Sequence, residues 1–337
     1  MSYDNKIETF MKKKYLVTGG SGFIGSALVR RLFDQGHRVR VLDNGFRGHM
    51  RRLHGLQDQI EYVEGDIRDK EVVSEACKNI DVICHLAFVN GTEFFYTQPE
   101  LVLDVGVKGM INVLDASIEH DVREFVLMSS SEVYQTPPIV PTDESVELSI
   151  PDPLNPRYSY GGGKLISELM LINYAPRHFE KSIIIRPHNV YGPDMGWEHV
   201  IPQFALRMRG LLKKETGSLP FPIQGSGQES RSFVFFDDFI DGMLLAMEKG
   251  TQQDIYHVGT SDEITIQYLA ERIGNYYSRQ VTVIPGELSK GGTSRRCPSI
   301  KKLNNIGFYP KVKLDDGLNQ TIEWYDTNVH LRPVKND

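Results

Sequence analysis

The sequence predicts an α/β protein with a Rossmann-type, doubly wound parallel sheet and a smaller C-terminal substrate-binding subdomain. Three observations support this fold class. An apolar strand at 15–17 leads through a glycine-rich turn into a helical pattern. Strand and helix patterns then alternate up to residue 187, and beyond it Pro, Gly and aromatic residues become frequent and the alternation is lost. The chain of 337 residues is long enough for two such parts.

The glycine-rich turn predicts a dinucleotide-binding unit. Gly19, Gly22 and Gly25 are spaced G-x-x-G-x-x-G, directly after the first strand and at the start of an amphipathic helix. Glycine lets the backbone turn tightly and approach a pyrophosphate, and the helix N-terminus directs N–H groups at the anion. We expect these glycines, with Phe23 and Ile24, to contact the cofactor.

Asp43 predicts which dinucleotide is bound. It ends the second predicted strand, 38–43, and lies 18 residues after Gly25, near the spacing of a carboxylate that binds the adenosine ribose. A carboxylate accepts hydrogen bonds from a 2′-hydroxyl and repels a 2′-phosphate, which favours NAD over NADP. Arg47 and Arg51 follow closely and can accommodate a phosphate, which weakens this preference.

The remaining elements follow from apolar periodicity. The predicted strands are 61–63, 81–86, 124–128 and 182–186, and the predicted helices are 70–78, 101–120 and 159–174. We expect a dinucleotide-binding domain over 1–187, to which residues 232–258 return. Residues 188–231 and 259–337 form the expected substrate-binding subdomain.

The composition is that of an ordinary globular protein. Apolar residues make up 40% and charged residues 24%, and the net charge of −6 gives no reason to expect a nucleic-acid or membrane partner. Cys77, Cys84 and Cys297 lack metal-ligand spacing, so we predict no metal site, and Cys84 reads as a buried core thiol. The polar N-terminus lacks the apolar segment of a signal peptide, and a cytoplasmic location is expected.

A candidate catalytic pair stands in the helix predicted at 159–174. Tyr160 and Lys164 are four residues apart, which places both side chains on one helix face. A phenol is a poor base at neutral pH unless a nearby ammonium and a cationic nicotinamide ring lower its pKa. Lys164 can also hold the nicotinamide ribose. Ser130, just after the predicted strand 124–128, can share a proton with Tyr160 and a substrate oxygen.

Together these motifs resemble the extended short-chain dehydrogenases/reductases of the NAD-dependent epimerase/dehydratase type, which act on nucleotide-diphosphate sugars. The resemblance covers about residues 12–325. The matching segments are the TGGSGFIG motif at 18–25, Asp66-Ile67 beside adenine, His85-Leu86-Ala87 beside the cofactor, Ser130, Tyr160 with Lys164, the R-x-x-N-x-Y-G-P segment at 186–193, and Arg231. By this resemblance Asn189 and Ser131 contact the sugar nucleotide, and Arg231 binds its diphosphate.

The chain departs from the family pattern in a few places. Gly106 stands where the family usually has Asn. In the family this Asn joins the helix to the backbone beside the cofactor, and Gly106 has no side chain to make that contact. In the late R-R-P-D segment Ser299 replaces Asp, and Gln135 replaces a glycine. None of these departures removes the expected catalytic set. The family's dimers pair helices like those at 101–120 and 158–174 in a four-helix bundle, so we expect a homodimer.

The resemblance implies oxidation of a sugar carbon, usually C4, to a 4-keto intermediate. Glu132, two residues after Ser130, matches the C5 base of sugar 4,6-dehydratases, which we favour, although Ser131 replaces their usual Asp acid. Nucleotide-glucuronate decarboxylases also have a Glu here, but their G-P-R-x-x-Y-D-E-G-K form is absent. A 4-epimerase needs no such base and stays an alternative. A non-catalytic dinucleotide-binding protein is the alternative from another class, and it typically lacks the Tyr or the Lys.

Overall fold

The computed structural model describes residues 12–213, 217–287 and 291–333. Its strands are β1 (Lys14–Thr18), β2 (Arg38–Asp43), β3 (Glu61–Glu64), β4 (Val82–His85), β5 (Glu124–Met128), β6 (Lys181–Pro187), β7 (Val190–Tyr191), β8 (Leu219–Pro222), β9 (Ser230–Ser232), β10 (Val234–Phe235), β11 (Asp254–Val258), β12 (Glu263–Thr265), β13 (Val281–Ile284) and β14 (Arg295–Arg296). Its helices are α1 (Phe23–Asp34), α2 (Lys70–Cys77), α3 (Thr92–Thr97), α4 (Pro99–Leu103), α5 (Gly109–Glu119), α6 (Tyr158–His178), α7 (Val200–Leu212), α8 (Phe236–Lys249), α9 (Ile266–Tyr276), α10 (Lys301–Asn305) and α11 (Leu314–Thr327).

A seven-stranded parallel sheet forms the larger part. The strand order is β11-β6-β5-β4-β1-β2-β3, so the chain reverses its direction of travel between β1 and β4. The register aligns Thr18 at the end of β1 with Leu42 on β2 and His85 on β4. The loops that follow these strands therefore meet at one edge of the sheet, where ligands bind in doubly wound folds. The predicted fold class is confirmed.

Alternation along the strands produces two cores, one on each sheet face. On β1, Val17 packs with α1 and α8, whereas Leu16 points to the opposite face and packs with α2 and α5. Both side chains are fully buried. A parallel sheet covered on both faces needs apolar residues at consecutive strand positions, and the apolar runs in the sequence have this property.

The helix expected at 101–120 is interrupted. Helix α4 ends at Leu103, a π-helical turn spans Asp104–Lys108, and α5 continues from Gly109. The Phe88 ring lies directly against Gly106 inside this turn, where a β-carbon would come within 2.4 Å of it. The sequence predicted one continuous helix because apolar residues recur on both sides of the interruption.

A third core belongs to the smaller part of the molecule. It lies between α7, α9 and α11, and β8 pairs in parallel with β13 beside it. Two further short sheets are β10-β7 and β12-β9-β14. Helix α8 packs on the main sheet, and β11 is the edge strand of that sheet beside β6. The boundaries at 187, 231 and 258 stay predictions, and residues 1–11, 214–216, 288–290 and 334–337 lie outside the described residues.

Two further observations concern the described residues alone. Within them no helix is long and apolar enough to cross a membrane, and no cluster of His, Cys, Asp or Glu could hold a metal ion. Cys77, Cys84 and Cys297 are all buried free thiols.

Candidate active site

The glycine turn has the shape that a pyrophosphate requires. Gly19 has a positive φ of 71°, and a β-carbon there would lie 2.9 Å from the Ala87 backbone. A β-carbon at Gly25 would lie 2.1 Å from the Gly19 carbonyl oxygen. Gly22 is the N-cap of α1. Each glycine therefore permits a close backbone approach, and together they hold the N-terminus of α1 against an open cradle.

Asp43 is fixed beside this cradle. Its carboxylate accepts hydrogen bonds from the backbone N–H groups of Ser21 at 3.0 Å and Gly45 at 2.9 Å, and the residue is buried. A carboxylate has lone pairs left after two such bonds, so it can still accept from a ribose hydroxyl. The geometry fits the ribose-binding role predicted from the sequence.

One cavity of about 520 Å³ opens at this edge of the sheet. Its lining includes every predicted cofactor-binding residue, namely Gly19, Gly22, Phe23, Ile24, Gly25, Asp43, Asp66, Ile67, Leu86, Ala87, Tyr160 and Lys164. The residues present therefore fit a dinucleotide that extends from the β2 end of the sheet to Tyr160.

Asp66 is held in place at the adenine end of this cavity. Its carboxylate accepts hydrogen bonds from the Arg68 guanidinium, at 2.8 Å for the shortest, and from the Asn44 amide at 3.0 Å. The Arg68 guanidinium lowers the pKa of Asp66 to about 2, so this carboxylate is ionised under all physiological conditions.

The arginines that follow β2, Arg47 and Arg51, line the same cavity and are held there by ion pairs. Arg47 pairs with Glu198, and Arg51 pairs with Asp194, which also accepts from Arg52 at 3.0 Å. These carboxylates lie in the segment between β7 and α7. Two carboxylates face three guanidinium groups here, so the ion pairs do not cancel the positive charge, and the preference for NAD rests on Asp43.

Tyr160 lies in an aromatic environment. Its ring stacks on Phe95 at 4.7 Å and meets Phe88 edge to face at 5.1 Å. Burial raises the pKa of Tyr160 well above its ordinary value, and the charge of Glu132 adds to this. The groups that act in the lowering direction are the Ser130 hydroxyl and Arg296, and not Lys164 as expected from the sequence.

Lys164 is buried beside Tyr160. Its ammonium donates to the Met128 carbonyl at 2.6 Å and lies 5.9 Å from the centre of the Tyr160 ring. Burial lowers the pKa of Lys164 to about 7, although the Glu168 carboxylate one helical turn on acts in the opposite direction. Glu168 is itself held in a buried ion pair with Arg186, at 2.6 Å.

The turn after β5 brings Ser130 and Glu132 together. Ser130 is the N-cap of a short 3₁₀ helix at Ser131–Tyr134, and its hydroxyl accepts from the Glu132 N–H at 3.1 Å. Ser131 is buried on the first position of this helix. Gly161 lets α6 approach the same turn, since a β-carbon there would lie 2.8 Å from the Glu132 carbonyl oxygen.

Glu132 lies within a cluster of arginines. Its carboxylate accepts from Arg296 at 2.7 Å and lies 3.7 Å from Arg157. Burial opposes ionisation of Glu132, but the charges of Arg296, Arg157 and Arg231 outweigh it and lower its pKa. Burial and the charge of Arg296 in turn lower the pKa of Arg231 to about 10. This arginine cluster consists of Arg157, Arg231 and Arg296.

Of the predicted substrate-binding residues, Arg231 belongs to this cluster, Ser131 precedes Glu132 in the same turn, and Asn189 lies between β6 and β7; none of the three lines the cofactor cavity. The Asn189 amide donates to the Ser232 carbonyl at 2.9 Å, and its backbone has a positive φ of 43°. The Arg231 guanidinium donates to the carbonyls of Ser230 at 2.7 Å and Thr293 at 2.6 Å. Backbone carbonyls therefore hold both side chains in place. The charge of Arg231 helps to lower the pKa of Glu132.

Sequence reasoning missed two members of the site. Arg296 stands in the segment noted only for its departure from R-R-P-D, and Arg157 precedes α6 in the N-P-R stretch. In both guanidinium groups the Nε is buried and has no hydrogen-bond partner among the described residues, so two N–H donors of the cluster are unused. The position of Arg157, three residues before Tyr160, was the one signal in the sequence. Apolar periodicity does not predict which carboxylate a charged side chain pairs with.

A glycine cradle, a ribose-directed carboxylate and a Tyr160–Lys164 pair on one cavity define a dinucleotide-dependent protein of the short-chain dehydrogenase/reductase class. Comparison with known families makes this specific. The NAD dependent epimerase/dehydratase family matches residues 15–259, and the chain belongs to that family. The predicted cofactor, NAD, is thereby confirmed.

Known relatives include three kinds of nucleotide-sugar enzyme. The UDP-N-acetyl-alpha-D-glucosaminuronate decarboxylase of Bacillus cytotoxicus is 29% identical over 97% of this chain and 100% of its own length. The dTDP-glucose 4,6-dehydratase DesIV of Streptomyces venezuelae, solved with NAD bound, is 28% identical, with a TM-score of 0.82 over 94% of this chain and 98% of that one. The UDP-glucose 4-epimerase of Thermotoga maritima, solved with UDP-glucose, is 27% identical, with a TM-score of 0.81 over 94% and 99%.

Proposed function

We propose that this protein is a nucleotide-sugar decarboxylase that acts on a nucleotide-diphosphate uronate through a 4-keto intermediate. The observation that carries the proposal is the Glu132–Arg296 ion pair inside the arginine cluster, close enough to Tyr160 for both charges to act on its phenol. The cluster sets three guanidinium groups against one carboxylate. The excess positive charge suits a diphosphate together with a sugar carboxylate.

The first half of the reaction uses the residues on the cofactor cavity. Bound NAD supplies the oxidising power for C4 and restores that carbon at the end of the cycle. Tyr160 accepts the proton of the C4 hydroxyl, and Ser130 shares a hydrogen bond with the same oxygen. The Tyr160 phenolate that accepts this proton is favoured by the Ser130 hydroxyl and the charge of Arg296, and Lys164 is placed to hold the nicotinamide ribose. The buried setting strengthens each of these interactions.

The second half follows from the chemistry of a 4-keto uronate, which is a β-keto acid. Breaking the C5–C6 bond releases carbon dioxide and leaves the electron pair in an enolate across C4 and C5. The Tyr160 hydroxyl and Ser130 donate hydrogen bonds to the enolate oxygen. The carbon at C5 then needs a proton.

Glu132 supplies that proton in our proposal. In the protein as described, its pKa is lowered by three guanidinium groups. A substrate carboxylate that shares Arg296 weakens this effect and adds a like charge, and both raise the pKa of Glu132. Glu132 therefore takes up a proton as the uronate binds, and it delivers that proton to C5 after carbon dioxide leaves.

The 4,6-dehydratase favoured from the sequence is the second candidate. The lowered pKa of Glu132 supports it, because a dehydratase uses the ionised carboxylate as a C5 base. Elimination at C6 also needs an acid for the departing hydroxyl, and Ser131 occupies the position next to Glu132. Among the described residues, Glu132 is the only carboxylate with an effect on the Tyr160 pKa. A 4-epimerase, or a protein that only binds dinucleotide, requires no carboxylate paired in this way.

The experiment is an incubation with matched nucleotide uronates and neutral nucleotide hexoses in D₂O, followed by mass spectrometry and NMR. We expect the uronate to lose the mass of carbon dioxide and the product to carry one solvent deuterium at C5. Loss of water from the neutral hexose, with deuterium at C5, would instead establish the dehydratase. An isomer of unchanged mass without carbon-bound deuterium would contradict both and indicate a 4-epimerase.

A further inference from the structure

Phe88 occupies a slot built from two glycines. It follows Ala87 after β4, and the tip of its ring lies between Gly106 in the π turn and Gly163 in α6. A β-carbon would lie 2.4 Å from the Phe88 Cζ at Gly106 and 3.0 Å from it at Gly163. Real β-carbons are not found at the shorter distance, so the ring can take this place only because residue 106 is glycine.

The slot places the ring against both members of the catalytic pair. The Lys164 Nζ lies 4.0 Å above the centre of the Phe88 ring, and the Tyr160 ring meets Phe88 edge to face at 5.1 Å. With Phe95 stacked on Tyr160 at 4.7 Å, the phenol ring is held by aromatic contacts on two sides. A ring face beneath an ammonium favours its charged form and keeps water away from it.

We propose that Phe88, seated between Gly106 and Gly163, is a positioning residue for the Tyr160–Lys164 pair. The Lys164 ammonium is held between the Met128 carbonyl and the face of the Phe88 ring, and these two contacts fix its position beside Tyr160. The ring contact also fixes the plane of the Tyr160 phenol. This inference rests on the proposed roles of Tyr160 and Lys164 in turnover.

Adjacent glycines in α6 provide a matched test. A β-carbon at Gly162 would meet only the Ile150 Cδ1, at 3.6 Å, whereas at Gly163 it would press on Phe88. Alanine replaces glycine favourably in a helix, so Gly162→Ala is expected to keep kcat and thermal stability. Gly163→Ala is expected to lower kcat on the order of 10- to 100-fold, with KM and NAD content unchanged, because the reacting groups are displaced by a fraction of an ångström.

Combining the variants tests whether Gly163→Ala lowers kcat through its contact with Phe88. Phe88→Ala alone is expected to lower kcat by a similar factor, and the double variant Phe88→Ala with Gly163→Ala should lose no more than Phe88→Ala does. Phe88→Tyr should also lose activity, because its hydroxyl would extend from the Cζ into the slot; full activity in this variant would contradict the slot. Losses that multiply in the double variant, or a Phe88→Ala protein with normal kcat, would overturn the inference.

The proposed function is tested separately by Tyr160→Phe in the same assays. If Tyr160→Phe is inactive and Phe88→Ala is normal, only the positioning role of Phe88 fails. If Tyr160→Phe itself turns over normally, the proposed function fails.

Discussion

The Glu132 carboxylate accepts a 2.7 Å hydrogen bond from the Arg296 guanidinium across 164 residues of sequence. Glu132 belongs to the turn after β5 on the main sheet, and Arg296 belongs to β14 in the smaller part. The pair therefore forms only when the two parts of the molecule pack together. Because Arg296 lowers the pKa of Glu132, the charge on Glu132 depends on how the two parts of the molecule pack.

Replacing Glu132 separates the two halves of the reaction. Glu132→Gln keeps the shape but removes the ionisable group, so oxidation at C4 should continue while turnover falls about 10²–10⁴-fold, as for a lost acid or base. Rapid-mixing absorbance should show reduced nicotinamide accumulating, and NMR should show no C5 deuterium. Glu147→Gln, at an exposed carboxylate, is the control and should behave as the unmodified protein. Normal deuterium incorporation by Glu132→Gln would exclude Glu132 as the C5 acid or base.

Tyr160→Phe removes the proton acceptor and keeps the ring. The aromatic contacts with Phe88 and Phe95 should survive, so the fold and NAD binding are expected to be unchanged. Turnover should fall about 10²–10⁴-fold. The measurement is kcat beside a calorimetric titration of NAD, and near-normal kcat would remove Tyr160 from the mechanism.

The buried Lys164 ammonium predicts a pH-dependent stability. Its pKa is about 7 in the folded protein against 10.5 ordinarily, so the unfolded chain binds more protons between these values. Stability attributable to this group therefore rises with pH over that window, and below about pH 7 the charged amine opposes folding. Lys164→Met should be more stable than the unmodified protein at pH 6, by on the order of a few kcal/mol, and the gain should shrink toward pH 10.

Urea denaturation at a series of pH values measures this difference, with cofactor content matched between the two proteins. Lys181→Met is a useful comparison, since that amine is less buried and its pKa is lowered less. A gain for Lys164→Met that does not vary with pH would show that Lys164 keeps an ordinary pKa and stays charged in the folded state.

The position of Asp43 predicts discrimination between dinucleotides. NAD should bind more tightly than NADP by about 1–3 kcal/mol, because a 2′-phosphate would face a buried carboxylate and leave it unpaired. Asp43→Asn removes the charge and keeps one of the two oxygens that accept from the Ser21 and Gly45 N–H groups, so the difference between NAD and NADP should narrow. Calorimetric titration of both nucleotides tests this, with Asp58→Asn at an exposed position as the control. Equal affinities in the unmodified protein would refute the role of Asp43.

Exposed apolar side chains on α5 and α6 bear on the homodimer expected from the family resemblance. Ile111 is 39% exposed and Leu169 50% exposed. We expect a symmetric dimer across these helices, and Leu169→Asp should yield a monomer by light scattering at micromolar concentration. Tyr309→Asp, at a side chain 66% exposed elsewhere, should leave the assembly unchanged. A monomer before any substitution would contradict the expectation.

The cofactor end of the molecule could be predicted because its determinants are local. Gly19, Gly22 and Gly25 specify a backbone shape within a few residues, and Asp43 follows at a fixed distance along one strand–helix–strand unit. Alternating apolar residues likewise specify the strands before any tertiary contact is known. The predicted cofactor residues therefore line one cavity.

The substrate end could not be predicted in the same way. Arg157 and Arg296 acquire their roles from contacts with Glu132 that form across distant segments, and charge alone does not indicate a partner in the sequence. The π turn at Asp104–Lys108 was missed for a related reason. It lies against the Phe88 ring at Gly106, a tertiary contact that the apolar pattern does not encode.

The edge position of β11 has a consequence for biosynthesis. Strands β1 to β6 emerge from the ribosome first, but β6 gains its outer neighbour only when residues 254–258 are made, after β7 to β10 and α7 have intervened. Until then the nascent sheet presents an unpaired parallel edge, which is prone to association with other chains. The core around α7 is completed later still, once α11 has been synthesised. We therefore expect ribosome-bound chains stalled before β11 to bind chaperones more strongly than chains stalled after α11.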